Sequence, residues 1–247
     1  MSNWDYTDRA RTYDKRADYS PQALLDLLSA LRLTSGDYVA DIGAGTGKLT
    51  RPLLGAGLKV RAVEPNERMR QIGIENTKPW RDIEWFNGIA ENTTLKSSTV
   101  AASFFGSSFN VVEPMLALKE SRRICRKGGS VVVMWNHRDI TDSLQARIEE
   151  FIRRKLPSFD YGIRRRDPTQ TLINSGFLKK VEFIEESFTV MMSKNDVIEA
   201  WESHHTLAIQ SAQRFREIIG GIAELIQDDQ VVVPYTTRIW FGCMTVD

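Results

Sequence analysis

The sequence of 247 residues predicts an α/β fold: a seven-stranded, mostly parallel sheet with an antiparallel last strand, helices on both faces and a helical lid insertion. Three observations predict it. Short β-rich runs alternate with helical stretches along the first half, the pattern of a parallel sheet covered by helices. The run VADIGAGTGKLT, residues 39–50, breaks from an apolar stretch into three alternating glycines and then resumes with helix formers. Two long runs with partial alternation, KKVEFIEESFTV and QVVVPYTTRIWFGCM, read as an antiparallel pair at a sheet edge rather than as a further buried parallel pair.

Taken in order, strands are expected at about 37–43, 59–64, 83–88, 100–106, 129–136, 179–190 and 231–244. The first five follow at short βα spacing, with a helix from Thr46 to Leu54 after the glycines. The intervals 137–177 and 193–229 exceed what a simple crossover needs, so both are expected to carry extra helices. The second is helical in pattern with a break at Gly220-Gly221, and it lies where a lid over the carboxyl edge of the sheet can form. There is no internal repeat, low-complexity segment or linker, which predicts one domain over 1–247: an N-terminal covering segment 1–30, a core 31–136, the two insertions and the last strand.

Hydrophobic content of 42% and charged content of 26% suit a globular chain. No apolar run approaches the roughly 20 residues that span a bilayer, and the polar start MSNWDYTDRARTYDKR shows no secretory signal. Two isolated cysteines, Cys125 and Cys243, supply neither a disulfide framework nor a metal site, so a cytoplasmic chain without metal is expected. A formal net charge of +1 argues against nucleic-acid binding driven by bulk charge.

The glycine corner sits where open α/β sheets bind ligands, between a strand end and a helix start. Glycine there permits positive φ and lets a ligand touch the backbone, and the helix N-terminus favours an anion. The spacing Gly43-x-Gly45-x-Gly47, with Lys48 at the position of the last glycine of a dinucleotide fingerprint, disfavours a nicotinamide oxidoreductase. A phosphate-binding loop of the G-x-x-x-x-G-K-[ST] type is absent. Glu64, 17 residues after Gly47, ends the second strand, where a carboxylate accepts hydrogen bonds from both ribose hydroxyls. Asp41, at the tip of the first strand, can answer an ammonium group directly or through water. The ligand so described has a ribose diol, a carboxylate and an ammonium.

At these residues the sequence resembles the class I S-adenosylmethionine-dependent methyltransferases, whose sheet is Rossmann-like, and in particular the small-molecule group called methyltransferase type 11. The resemblance runs from DIGAGTGKLT through VRAVEPNERM to NGIAENTTLKSSTV, and extends to Tyr13–Pro21, Met134-Trp135-Asn136 and Val233–Thr237. It implies S-adenosylmethionine as cofactor, S-adenosylhomocysteine as product and a small-molecule methyl acceptor. It further implies that Gly43, Ala44, Gly45, Thr46 and Gly47 contact the methionine part, Glu64 the ribose, and Pro65 and Met69 the adenosine. Ala90 and Glu91 would flank the adenine, Gly106 and Ser107 would lie beside the sulfonium, and Tyr13 and Arg16 would cover the cofactor. Where relatives often carry a His-Trp pair facing the acceptor, this chain has Phe109-Asn110-Val111, which makes Asn110 a candidate on the acceptor side.

Methyl transfer from a sulfonium mainly requires alignment, and a base is needed only if the acceptor loses a proton. The candidates are the histidines. His137 follows the fifth strand; His204 and His205 are neighbours on a predicted helix, about 100° apart, so at most one faces the cleft. Trp4, Tyr6, Tyr13 and Tyr19 read either as an aromatic flap or as pins for the terminal segment. Arg164-Arg165-Arg166 reads either as a site for a substrate carboxylate or phosphate or as a solvated loop, and Trp201, Phe215 and Ile218 either as an apolar acceptor pocket or as packing inside the lid. Three functions follow: a small-molecule methyltransferase, an RNA or protein methyltransferase of the same fold, and a non-catalytic cofactor-binding regulator.

Overall fold

In the computed structural model, which describes residues 10–245, the described residues form ten α-helices and seven strands. Trp4 and Tyr6 lie outside the described residues. After α1 (Ala10–Tyr13) and α2 (Pro21–Ala30) come β1 (Tyr38–Ile42), α3 (Thr50–Gly55), β2 (Lys59–Val63), α4 (Glu67–Thr77), β3 (Ile83–Phe86) and β4 (Val100–Gly106). The chain continues through α5 (Pro114–Ile124), β5 (Cys125–Arg138), α6 (Ser143–Lys155), α7 (Thr169–Asn174) and β6 (Glu182–Ser193). It ends with α8 (Lys194–Glu202), α9 (His205–Ser211), α10 (Phe215–Leu225) and β7 (Gln230–Cys243).

The strands form a single sheet in the order β3-β2-β1-β4-β5-β7-β6. Strands β1 to β5 pair in parallel, whereas β7 runs antiparallel to both β5 and β6, so the expected mixed sheet is present and β6 is its edge. Both faces of the central strands are buried, as parallel strands covered by helices require. Alternate residues enter opposite cores. Val39, Phe104, Val132 and Met134 pack with Leu24 and Leu27 of α2 and Leu53 of α3. Ala40, Ile42, Phe105, Val133 and Trp135 pack with Leu118 of α5 and Leu172 of α7 on the other face. No helix among the described residues is long and apolar enough to cross a membrane.

Two local expectations are corrected. The helix after the glycines begins at Thr50, not Thr46, because Gly47 at φ +84 leaves the right-handed helical region and the intervening residues form turns. Helix α10 runs unbroken through Gly220-Gly221. Gly221 lies against the Phe151 ring of α6, where a Cβ would overlap it, so the glycine permits close helix packing rather than a break. The interruptions instead fall at Ser203–His204 and at Ala212, whose φ is +47.

Helix α6 of the first insertion and helices α8 to α10 of the second form one helical layer, whereas α7 covers the sheet on the α5 side. Ile148 and Ile152 of α6, Val197 and Trp201 of α8, Leu207 of α9 and Ile218 and Ile222 of α10 share a third core with Val233 and Tyr235 of β7. That core fixes the layer over one end of β5 and β7.

Candidate functional site

Strand β1 sits between β2 and β4, so the connections leave it in opposite directions and a crevice opens at the carboxyl ends of β1 and β4. A cavity occupies this crevice. Its floor is made by Asp41, Gly43 and Ala44 at the end of β1, Gly106 and Ser107 at the end of β4, and Asn136 and His137 of β5. The helical layer supplies the opposite wall with Glu149, Tyr161, Trp201 and His204.

The segment before α2 straps these two sides together. Asp18 pairs with Lys48 at 2.8 Å, and Asp14 accepts a hydrogen bond from Thr46 at 3.2 Å, both on the glycine turn. Asn136 donates to the Asp18 carbonyl at 2.8 Å and accepts from Thr237 at 2.6 Å, while the Ser20 amide donates to the same Thr237 hydroxyl at 2.9 Å. On the other side Arg16 donates to the Ser203 hydroxyl and carbonyl at 2.8 and 2.6 Å, its guanidinium 4.3 Å from the Tyr13 ring centre. Tyr13 and Arg16 both line the cavity, as does Tyr19, whose hydroxyl lies 2.9 Å from that of Ser107.

The glycine turn is shaped by its neighbours. Gly43, Gly45 and Gly47 all have positive φ. The Gly45 amide donates to Glu64 at 2.9 Å, and the other oxygen of Glu64 accepts from the Asn66 amide at 2.8 Å. A carboxylate offers about four acceptor sites, so roughly two remain for a ligand diol. Burial pushes the Glu64 carboxyl up, opposed by these two amides and by the Arg70 charge. Asp41 is buried and accepts from the Thr50 hydroxyl at 2.6 Å.

Burial raises the Asp41 carboxyl from its ordinary 3.8 to about 7, with the nearby Glu64 charge adding to the rise. The folded state therefore holds a proton that the unfolded chain releases, and the stability this contributes is lost as pH rises between about 4 and 7. An Asp41→Asn variant should gain stability relative to the parent across that window, measured by thermal denaturation as a function of pH. Parallel curves for the two proteins would contradict the assignment.

His137 and His204 are held neutral. His137 lies 2.9 Å from the Arg164 carbonyl through Nε2, and burial, together with the Arg164, Arg165 and Arg238 charges, lowers it to about 3. His204 caps α9, its Nδ1 accepting from the Leu207 amide at 3.2 Å, and stacks on Trp201 with ring centres 5.6 Å apart. Burial holds it well below its ordinary value. Of the adjacent pair, His204 lines the cavity and His205 does not.

Other sequence candidates are distributed unevenly. Asn110 accepts from the Trp135 indole at 3.1 Å and is not among the residues lining the cavity. Glu91 accepts from the Glu113 amide at 2.7 Å, Pro65 is exposed, Met69 is buried against Gly45, and Ala90 is buried in the core with Leu95 and Phe109; none of the four lines the cavity. Gly45, Thr46, Gly47 and Glu64, expected as cofactor contacts, are not among the residues lining the cavity, although Gly45 is hydrogen-bonded to Glu64. Trp201 lines the cavity, whereas Phe215 and Ile218 pack within the helical layer. Sequence reasoning did not single out Arg138, Gln145, Glu149 or Tyr161, all of which line the cavity. Only Arg138 had a positional signal, being one residue beyond His137.

Residues 40–133 match a family model described as a methyltransferase domain. An uncharacterized methyltransferase of Mycobacterium tuberculosis is 36% identical over 124 residues, 50% of this chain and 48% of that protein. The demethylmenaquinone methyltransferase of Paenarthrobacter aurescens is 29% identical over 133 residues, 53% of this chain and 51% of the relative. The chain thus spans about half the length of these curated relatives. Among solved structures, a protein described as a type II methyltransferase from Anaeromyxobacter dehalogenans superposes with a TM-score of 0.67 at 17% identity, covering 92% of this chain and 97% of that one. A phosphoethanolamine N-methyltransferase of Haemonchus contortus, solved with phosphomonomethylethanolamine and S-adenosylhomocysteine, gives 0.57 at 15% identity, covering 96% of this chain and 57% of its own. These superpositions show that the chain shares its fold with methyltransferases.

Proposed function

We propose, from the match of residues 40–133 to the methyltransferase-domain model, that the whole chain transfers a methyl group from S-adenosylmethionine to a small-molecule acceptor inside the cavity. The observation that carries this reading is that Asp41, Gly43 and Ala44 line the cavity while Glu64 accepts a hydrogen bond from the Gly45 amide of the same turn. Those groups match an ammonium, a carboxylate and a ribose diol. S-adenosylmethionine, when bound, supplies a methyl group on a sulfonium that leaves without further activation.

In this reading Asp41 and the turn hold the amino-acid end, Glu64 the ribose, and Ser107 with Tyr19 form the edge between the cofactor and acceptor sides. The strap through Asp14, Asp18 and Arg16 excludes water by joining the turn to the helical layer. His137 and His204 are poor proton acceptors near neutral pH, since a general base works best with a pKa near the working pH. They would orient the acceptor instead: His204, whose Nδ1 is taken, offers its Nε2 proton, and His137, whose Nε2 faces a carbonyl, offers the Nδ1 lone pair. Positioning then supplies most of the rate, roughly 7–11 kcal/mol in well-oriented cases. The named substrates of the relative and the fold neighbour, demethylmenaquinone and phosphomonomethylethanolamine, are small molecules, in line with this acceptor class.

The test is incubation of the purified protein with methyl-labelled S-adenosylmethionine and, separately, a small-metabolite extract, total RNA and total protein. Label should enter the small-molecule fraction. Label in RNA or protein would overturn the acceptor class, and no transfer to any fraction, with the cofactor still bound, would favour the regulatory reading.

A further inference from the structure

On the reading that the cavity takes a methyl acceptor, we propose that the acceptor is an anion, a carboxylate or phosphate, held by Arg138, Arg164 and Arg165 on the wall facing the glycine turn. All three arginines line the cavity. The guanidinium of Arg138 lies 4.2 Å from the Trp201 ring centre and 5.8 Å from that of Tyr235, and the guanidinium of Arg165 lies 4.2 Å from the Tyr161 ring centre. Stacking on aromatic rings fixes the guanidinium plane and leaves its N–H edge for bidentate recognition of a carboxylate or phosphate.

The same wall carries buried polar groups with no hydrogen-bond partner. They are the Arg138 Nε, both amide atoms of Gln145 and the Trp201 indole nitrogen, with Gln145 only 2% and Trp201 only 3% exposed. Each buried donor or acceptor left unpaired costs on the order of 1–3 kcal/mol, so a group of them around one cavity marks a place where a polar ligand completes the bonding. Three of the four are donors or can donate, which suits an acceptor-rich anion.

Neither acid on the cavity is paired with Arg138 or Arg165. Among the described residues, the acids lining the cavity are Asp41 and Glu149. Glu149 is already engaged by Arg153 at 2.8 Å and by the Tyr161 hydroxyl at 2.6 Å. Asp41 belongs to the opposite floor, where burial favours its neutral form. On that floor Lys48 is paired with Asp18, and Arg16 with the Ser203 carbonyl. The positive field of the arginine wall registers on both histidines: after burial, Arg164 is the leading influence that holds His137 and His204 neutral. The run Arg164-Arg165-Arg166 is therefore split, since Arg166 is exposed, pairs with Asp160 at 3.6 Å and does not line the cavity.

The experiment is calorimetric titration of the S-adenosylhomocysteine-loaded protein with benzoate, phenyl phosphate and neutral benzamide. At least one anion should bind at least tenfold more tightly than benzamide, and the stronger of the two distinguishes a carboxylate from a phosphate acceptor. Arg138→Met and Arg165→Met, which keep most of the side-chain packing, should each weaken that anion at least tenfold while S-adenosylhomocysteine affinity changes less than twofold. Arg166→Met, which removes the same charge outside the cavity, should change nothing. Equal binding of anions and benzamide, no anion binding up to about 10 mM, or variants that bind as the parent does would overturn the proposal. If the parent fails to bind S-adenosylhomocysteine, the methyl-transfer reading fails instead, and the same titration of the unloaded protein decides whether the arginine wall binds anions.

Discussion

Glu64→Ala is expected to weaken S-adenosylhomocysteine binding at least tenfold, about 1.4 kcal/mol. The carboxylate is 7% exposed, and its two oxygens fasten the Gly45 and Asn66 amides at 2.9 and 2.8 Å. Alanine removes the acceptors for a ribose diol and also leaves two amides unsatisfied, each costing on the order of 1–3 kcal/mol where water cannot reach. Binding and folding losses are separated by measuring affinity well below the variant's melting temperature. A folded Glu64→Ala protein with unchanged affinity would remove Glu64 from the site.

Gly43→Ala should abolish detectable cofactor binding and lower the melting temperature by roughly 5–15 °C, from a cost of about 2–4 kcal/mol. Gly43 has φ +70, where an L side chain is strained, and its Cβ would stand 2.5 Å from the Ser108 Cβ and 3.1 Å from the Ser108 Oγ. Ser108 is not free to retreat, because its hydroxyl donates to the Ile42 carbonyl at 2.5 Å and so ties the β4 exit to the β1 tip. The double variant Gly43→Ala with Ser108→Gly should recover part of the melting temperature by relieving the overlap, and not the rest, because the φ strain persists. A Gly43→Ala protein that melts and binds as the parent does would show that the turn does not need glycine there.

What was legible in the sequence follows from what each signal physically encodes. The β1–turn–β2 unit was readable because strands buried on both faces leave apolar runs, and because a turn of successive positive φ values demands glycine. The closing pair was readable because β6 and β7 pair antiparallel at an edge, and alternate burial along β7 leaves alternate residues. The helix start was misplaced by four residues because Thr46 and Lys48 are compatible with helix, while the Gly47 dihedral is a property of the folded turn. Gly220-Gly221 suggested a break, although the glycine answers the Phe151 ring on α6, a contact between segments far apart in sequence.

The acceptor wall was least legible. Its residues come from two insertions and the ends of β5 and β7, and no local pattern says that Arg138, Tyr161 and Trp201 meet. Three consecutive arginines gave no hint that a 3-10 turn over Gly162–Arg165 directs two of them to the cavity and leaves the third outside it. Asn110 drew attention from its position after β4, and its partner, the Trp135 indole, became visible only once β4 and β5 were paired.

Whether this crevice is built for S-adenosylmethionine is decided by calorimetric titration of the purified protein with S-adenosylhomocysteine, with NAD as the control. Micromolar binding of S-adenosylhomocysteine, about −8 kcal/mol, and none of NAD is expected. Absence of S-adenosylhomocysteine binding, or equal binding of NAD, would contradict that expectation.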